Sequence, residues 1–218
     1  MADQGKRRVS DRVVERLSLY RRILHQMELA GTVQVFSHEL AARSGVTAGL
    51  LRRDLMAIGH TGSPNRGYEV AGLGAAIGAF LDGGQRQAVA LVGVGHLGRA
   101  LLDYFRGRRP TLEITAAFDV DPDKVGRVIA GTRVHALDEL EARVAAEGIR
   151  AAILALPPDQ AQRVTDRLAA AGVRSLLNFA DVRLSVPDGL YVETLDFSVS
   201  LEKVAYYSRT GEPTNEPT

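Results

Sequence analysis

The stretch Val89-Ala90-Leu91-Val92-Gly93-Val94-Gly95-His96-Leu97-Gly98 joins an apolar run to the pattern G-x-G-x-x-G. The run predicts a buried strand, and the glycines after it predict a tight turn into a helix. In a dinucleotide-binding fold, the first glycine permits the turn, the second lets the backbone approach a pyrophosphate, and the third lets helix pack on strand. The positive end of the helix then faces the negative charge. We therefore predict that a nucleotide contacts Gly93, Val94, Gly95, His96, Leu97 and Gly98.

Asp119 follows the next predicted strand, Leu112 to Phe118, at the distance from the glycine pattern that nucleotide-binding folds require. A carboxylate there accepts hydrogen bonds from the ribose hydroxyls of adenosine and repels a 2′-phosphate. The sequence therefore favours NADH and NAD+ over the phosphorylated dinucleotides. The alternative is that Asp119 only caps the end of the strand or its turn.

The second part of the chain alternates strands with helices, which predicts an open parallel sheet of the Rossmann-like α/β type over residues 85–196. The glycine pattern opens a helix with Leu97, Leu101, Tyr104 and Phe105 on one side. Further elements are expected as follows: a helix from Pro122, a strand over 151–156, a helix over 159–171 closed by Gly172, and a strand over 175–179.

The first part, residues 1–84, reads as a small helical domain with a linker. Asp11 is the expected N-cap of a first helix that ends before Gly31, with apolar residues at Val13, Leu17, Tyr20, Leu24 and Met27. Ser37 is the expected cap of a second helix through Ser44, and Thr47 the cap of a third through Ile58. Two short helices joined at Gly45 fit a helix-turn-helix.

The third helix and the hairpin after it predict a DNA-binding surface. Leu51, Leu55 and Ile58 form one face, which turns Arg52 and Arg53 outward with Asp54 beside them. Glycines and a proline between residues 59 and 67 predict a hairpin, so the domain reads as a winged helix, followed by a helix over 73–81 and a linker over 82–85. Residues 1–86 hold 12 Lys and Arg against 8 Asp and Glu, which leaves 15 against 18 downstream. This modest excess of positive charge in the first part is compatible with DNA binding, although many ordinary protein surfaces have a similar excess.

Composition excludes several other functions. The chain has no cysteine, so disulfides, thiolate catalysis and iron–sulfur clusters are excluded. It has neither an apolar run of about eighteen residues nor a signal-peptide pattern, so we expect a cytoplasmic protein with no membrane partner. We expect no metal site and no catalytic residue, since neither His96 nor His135 is placed as a proton-transferring base. A small NAD-dependent oxidoreductase with an N-terminal dimerisation domain is the alternative hypothesis.

The order of these motifs resembles the Rex family of redox-sensing transcriptional repressors. The resemblance rests on the winged helix, the glycine loop, and three later segments: Phe118-Asp119-Val120-Asp121, Asn178-Phe179-Ala180, and Leu195-Asp196-Phe197 leading into Tyr206-Tyr207. It implies a homodimer that binds a palindromic operator with two half-sites when NADH is scarce. NADH binding then closes the two Rossmann domains and releases the DNA, so that the cofactor, NADH or NAD+, acts as an effector and not as a reactant.

The resemblance also implies roles for single residues. Tyr104 and Asn178 would lie at the cofactor, and the contacts of Arg16 and Asp196 would change with its redox state. Residues 197–218 would contain a helix that inserts into the partner subunit, and the alternative is that this helix packs on its own subunit. The segment from Gly211 to Thr218 has two prolines and no apolar run, which predicts a disordered tail. We expect the DNA contacts to include Thr47, Arg52, Arg53, Arg66 and Tyr68.

The sequence departs from the family at Ile58, at Asp181, and in the wing, where Arg66 is the one cation near the tip of Ser63-Pro64-Asn65-Arg66.

Overall fold

The computed structural model of the chain describes residues 9–63, 65–108 and 111–210. The chain divides into two compact units, the first ending at Gln85 and the second beginning at Arg86. Pro64 of the predicted wing and the predicted tail, residues 211–218, lie outside the described residues. No helix in the described part of the chain is long and apolar enough to cross a membrane.

The first unit is a winged helix-turn-helix. Its elements are α1 (Asp11–Leu29), β1 (Gln34–Val35), α2 (Ser37–Ser44), α3 (Ala48–Ala57), β2 (Tyr68–Glu69) and α4 (Val70–Asp82). The strands pair antiparallel, and Ser63 bridges Gly67 beyond them to form the wing. Gly67 has a φ of 67°, and a side chain there would overlap the carbonyl oxygen of Val35. Only glycine therefore lets the wing lie this close to β1.

The helix starts of this unit are partly as predicted. Thr47 caps α3, since its Oγ1 accepts a hydrogen bond from the amide of Leu50 at 3.2 Å. The other two predicted caps are wrong by one residue: Ser10 and Phe36 are the N-caps of α1 and α2. At Phe36 the backbone amide donates to the carboxylate of Glu39 at 2.8 Å, so an acidic side chain in the first turn satisfies the amide of the cap residue.

The second unit is the predicted Rossmann-like sheet. Its strands are β3 (Gln87–Val92), β4 (Leu112–Asp119), β5 (Val128–Ile129), β6 (Thr132–Ala136), β7 (Ala151–Leu154), β8 (Ser175–Asn178) and β9 (Tyr191–Thr194). Its helices are α5 (His96–Phe105), α6 (Leu140–Ala146), α7 (Pro158–Ala170) and α8 (Phe197–Thr210), with a 3-10 turn over Leu137–Glu139. The strand order is β5-β6-β4-β3-β7-β8-β9. From β3 the chain continues to β4 on one side and later returns to β7 on the other side. The topological switch point of the sheet therefore lies between β3 and β7. Ligands of such sheets bind beyond the carboxyl ends of the strands at this point.

The helix predicted from Pro122 is wrong. The chain makes one turn after Asp121 and then stops, because Gly126 takes a φ of 83° and its amide donates to the carbonyl of Val134 at 2.8 Å. The amide of Val134 donates back to Arg127, so this segment leads into the short antiparallel pair β5–β6. Pairing with a strand that lies further along the chain therefore overrides the local helical preference.

Helices cover the two faces of the sheet unequally. On one face, α6 and α7 pack Leu140, Val144, Val164 and Leu168 against the strands. On the other face, α5 packs Leu102 over β3 and β4, with Leu101 and Phe105 partly buried beside it. The predicted helix face was wrong in detail, since Leu97 and Tyr104 are exposed. His135 lies in β6, buried against the ring of Phe118.

Candidate functional site

The glycine loop is built by two close contacts that exclude side chains. Gly93 has a φ of 94°, and a Cβ there would overlap the carbonyl oxygen of Ala155 beyond β7. A Cβ on Gly98 would overlap the carbonyl oxygen of Gly93, because the first turn of α5 lies directly on the end of β3. These are the turn and the close helix–strand packing expected of the first and third glycines.

Gly95 differs from its two neighbours because a Cβ there would meet no described atom within 4 Å. Its φ of −76° is also open to any residue. Neither backbone strain nor protein packing therefore requires a glycine at this position. The amides in the first turn of a helix have no partner within the helix, and they carry partial positive charge. An open surface over such amides fits the pyrophosphate of a dinucleotide.

Asp119 joins the end of β4 to the glycine loop. Its Oδ2 accepts the amide of Val94 at 2.7 Å and the ammonium group of Lys124 at 3.2 Å, while its Oδ1 accepts the amide of Asp121 at 2.9 Å. The residue is 8% exposed. Asp119 therefore holds the strand end and the loop, as the structural alternative expects, and its contact with a ribose stays a prediction.

Lys124 was not recognised from the sequence. Its Nζ lies 3.2 Å from Asp119 and 3.3 Å from Asp121. Partial burial opposes the charge, but the hydrogen bonds to the two carboxylates outweigh it and raise the pKa of Lys124. The spacing D-x-D-x-x-K, on one turn after a strand, was the available signal.

Tyr104 lies on the surface of α5 and is 54% exposed, which excludes the core role that its apolar neighbours allowed. The guanidinium of Arg108 lies 4.2 Å from its ring centre, and the ring of Phe105 meets it edge to face. His96 and Leu97 are also exposed at the start of the helix. These side chains are therefore free to meet a ligand, and their contacts with it stay predictions.

Asn178 does not fit its predicted contact with the cofactor. Its side chain is fully buried, and its Nδ2 donates to the carbonyl of Val182 at 3.0 Å while its Oδ1 accepts the amide of Ala180 at 2.9 Å. Both ends of the amide thus hold the turn that follows β8. Asn178 therefore holds this turn, and its side chain is not presented to a ligand.

In the first unit, α3 presents the expected cations. Thr47, Arg52 and Arg53 are exposed, and Nη1 of Arg52 donates to Oγ of Ser37 at 3.0 Å, which fixes its direction over the start of α2. The prediction that Asp54 lies beside them on the surface is wrong, because Asp54 is 3% exposed and belongs to the buried side of α3. The sequence did contain a signal for this. Leu51, Asp54 and Ile58 are three and four residues apart, so they lie on the same face of the helix.

Arg16 of α1 binds this buried carboxylate with two hydrogen bonds of 2.7 Å, from Nε and Nη2. The hydroxyl of Tyr20 donates a third at 2.9 Å. Burial and the neighbouring carboxylate raise the pKa of Tyr20, and the hydrogen bonds to Asp54 raise that of Arg16. The three side chains, which we call the Asp54 network, fix α1 to the helix that carries Arg52 and Arg53.

The wing offers one of its two predicted DNA contacts. Arg66 is exposed at the tip, as expected. Tyr68 is 6% exposed, because its ring packs in the core of the unit and stacks on His60. A buried ring cannot contact DNA, so Tyr68 supports the wing from beneath.

Asp196 begins α8. Its Oδ1 accepts the amide of Val199 at 2.9 Å, which is a helix cap. The predicted exchange of contacts between Arg16 and Asp196 would join the two units, and it stays a prediction. Within the described residues, no group of three His, Asp or Glu side chains is arranged to hold a metal ion.

A winged helix-turn-helix and a dinucleotide-type sheet in one chain define a class of DNA-binding proteins that carry a nucleotide-binding domain. Residues 8–55 match the family model described as a putative DNA-binding protein N-terminus, and residues 85–182 match the model described as a CoA binding domain. A redox-sensing transcriptional repressor Rex from Rhodopirellula baltica is 42% identical over 207 residues, which covers 94% of this chain and 87% of that protein. The chain therefore belongs to the Rex family.

Two solved structures agree along the length of the chain. The structure of RSP, a Rex-family repressor, in complex with β-NAD+ and operator DNA is 31% identical, with a TM-score of 0.86 and 94% coverage of both chains. RSP in complex with β-NADH is 30% identical, with a TM-score of 0.81 and coverage of 93% of this chain and 95% of that chain.

Alanine substitutions at Gly98 and Gly95 should differ in their effect on stability, because only Gly98 is required for packing. Gly98→Ala should lower the midpoint of thermal unfolding by several degrees, because the new methyl group forces α5 away from β3. Gly95→Ala should leave the midpoint within about one degree, because its methyl group enters open space. Differential scanning calorimetry of both variants measures this. Equal destabilisation by the two would contradict the assigned roles.

Proposed function

We propose that this protein is a transcriptional repressor that binds operator DNA when NADH is scarce and releases it when NADH binds. The observation that carries the proposal is the similarity of both units, over 94% of the chain, to a Rex-family repressor solved with β-NAD+ and operator DNA. The reduced nicotinamide reports the redox state of the cell, and the dinucleotide acts as an effector. Operator DNA and NADH therefore bind at different sites, and each weakens the binding of the other.

The DNA side of the proposal rests on α3 and the wing. The recognition helix of a helix-turn-helix enters the major groove with its first residues at the base edges. Thr47, Arg52 and Arg53 lie on the exposed side of α3, and Arg66 lies at the wing tip. Arginine reads guanine with two hydrogen bonds. A dimer with two such helices requires a palindromic operator with two half-sites, about one helical turn or a multiple apart.

The cofactor side rests on the glycine loop. Gly95 and the first amides of α5 would hold the pyrophosphate, and Asp119 and Asp121 border the ribose of adenosine. Tyr104, exposed on α5, is the candidate contact for the nicotinamide half. The oxidoreductase alternative is not favoured, since the relatives that match the chain over most of its length are transcriptional repressors.

The Asp54 network would connect a switch at Arg16 to the helix that carries Arg52 and Arg53. Arg16 uses Nε and Nη2 on Asp54, and that pair does not use its Nη1. One guanidinium can therefore bind Asp54 and a second carboxylate at the same time. The family resemblance implies that this second partner is Asp196. A change in the redox state of the cofactor would then change the contacts of Arg16, and through Arg16 the position of α3.

The homodimer is supported by α8. None of its 14 residues is buried, although six large apolar or aromatic side chains are on it: Phe197, Val199, Leu201, Val204, Tyr206 and Tyr207. An isolated helix of this length is marginal in water, and most helices are stabilised by packing an apolar face. The six side chains lie around the helix and not on one face, and a helix that is apolar on all sides is normally buried. We infer that a second copy of this chain covers it.

The sheet offers a second apolar surface in the same unit. A cavity of about 280 Å³ opens on the face that α5 covers only in part. It is lined by apolar residues of neighbouring strands and α5, among them Val89, Phe105, Ile114, Ile153 and Leu177. Large apolar surfaces on soluble proteins mark interfaces. Two identical copies can cover each other's apolar surfaces in a closed dimer.

The double variant Leu201→Glu with Val204→Glu should dissociate the dimer, because two carboxylates would have to enter an apolar contact. Lys203→Glu, which reverses a charge on the same helix, should leave the dimer intact. Sedimentation equilibrium distinguishes one chain from two. A double variant that remains dimeric would exclude α8 from the interface.

The protein acts on genomic DNA in this proposal, and we therefore place it in the cytoplasm.

The central experiment is a gel shift on promoter DNA from the host genome with NADH and NAD+ added in turn. NADH should release the DNA at concentrations at which NAD+ does not. A coupling of about 1 to 3 kcal/mol changes DNA affinity about five- to 150-fold, which is enough to control repression. Equal effects of the two dinucleotides would refute redox sensing.

Two arginine variants control this experiment. Arg53→Ala should weaken specific binding by about 1 to 3 kcal/mol if it contacts a base, and all binding alike if it contacts phosphate. Arg22→Ala removes the same charge from the exposed side of α1 and should bind like the unaltered protein. A loss with Arg22→Ala equal to that with Arg53→Ala would show that charge alone, and not α3, carries binding.

A further inference from the structure

The exposed carboxylate at the predicted ribose site is Asp121, two residues beyond the acid that the sequence pattern indicates. We propose that Asp121 excludes dinucleotides with a 2′-phosphate, by neutralising Lys124, which would otherwise attract that phosphate. The proposal rests on the proposed function, because it concerns the specificity of the same nucleotide site.

The carboxylate of Asp119 is badly placed to distinguish, by itself, NADH from a dinucleotide with a 2′-phosphate. Its residue is 8% exposed, and each of its carboxylate oxygens already accepts a hydrogen bond from a backbone amide. One of these amides, that of Val94, belongs to the glycine loop. The carboxylate of Asp119 is therefore committed first to holding the loop against the end of β4.

Asp121 faces outward from the same strand end. Its side chain is 39% exposed, and its Oδ2 lies 3.3 Å from Nζ of Lys124. Its Oδ1 accepts the amide of Asp123 at 2.9 Å, so the carboxylate has a fixed direction. The hydrogen bond from Asp123, followed by that from Lys124, lowers the pKa of Asp121, and the charge of Arg99 adds to the effect. Asp121 is thus ionised beside Lys124 at neutral pH.

The charges at this strand end decide which nucleotide fits. A phosphate monoester carries about −1.5 to −2 charges at pH 7. The carboxylates of Asp119 and Asp121 together outweigh the ammonium group of Lys124, so this strand end is net negative and repels a phosphate. Without the charge of Asp121, Lys124 would only balance Asp119, and its ammonium group would be available to a phosphate. One exposed charge therefore decides whether a 2′-phosphate is repelled.

The test is the affinity of the Asp121→Asn variant for NADH and for NADPH, measured by titration calorimetry. Asparagine keeps the oxygen that caps Asp123, so the turn is preserved. NADPH affinity should rise at least about tenfold, which corresponds to the free energy of about one charge pair near the surface. NADH affinity should change by less than about threefold, since its ribose carries no added charge.

Three further variants test whether the charge of Asp121, acting through Lys124, causes the change in NADPH affinity. Asp123→Asn removes the same charge from the same turn and should change neither affinity, because Asp123 makes contact with Asp121 only through its backbone amide. Asp121→Asn combined with Lys124→Gln should lose most of the gained NADPH affinity. Asp119→Asn should weaken both dinucleotides together, because it loosens the loop.

The outcomes separate this proposal from the proposed function. Failure of the unaltered protein to bind NADH would overturn both. Normal NADH binding, with NADPH affinity unchanged in Asp121→Asn or raised instead in Asp119→Asn, would overturn only the assignment of Asp121. An equal gain from Asp123→Asn would overturn it as well, since net charge would then suffice.

Discussion

The close approach of α5 to β3 is the constraint on which the nucleotide site depends. Gly98 lies against the carbonyl of Gly93, and Gly93 lies against that of Ala155, so neither position has room for a side chain. This packing brings the first amides of α5 to the carboxyl edge of the sheet, at the topological switch point between β3 and β7. A helix displaced by one methyl group would no longer aim its positive end there.

The acid after β4 completes this arrangement. Asp119 ties Val94 to the neighbouring strand at 2.7 Å, so the loop is held from two strands at once. A second acid, Asp121, is left to face outward with Lys124 between the two. Holding the loop and selecting the nucleotide are thus divided between two carboxylates, and Lys124 couples them.

Periodicity and capping predicted most of the fold. The apolar stripe of α1, the cap at Thr47 and the strand before Gly93 are local signals, and each element formed as expected. The helix predicted from Pro122 failed because β6, further along the chain, pairs with that segment. Asn178 and Tyr68 were assigned to surfaces from motif order, which contains no information on burial. Asp54 lies on the apolar face of α3, where Arg16 and Tyr20 of another helix satisfy its charge.

In a redox-sensing repressor the two units take part in one equilibrium, in which NADH and operator DNA favour different states. Linkage requires the effect to be reciprocal: if NADH weakens DNA binding by some factor, operator DNA weakens NADH binding by the same factor. The most direct test is therefore the NADH dissociation constant, measured with and without saturating operator DNA. We expect NADH to bind about five- to 150-fold more weakly with DNA, and a much smaller change for NAD+. An NADH affinity that operator DNA leaves unchanged would contradict this expectation.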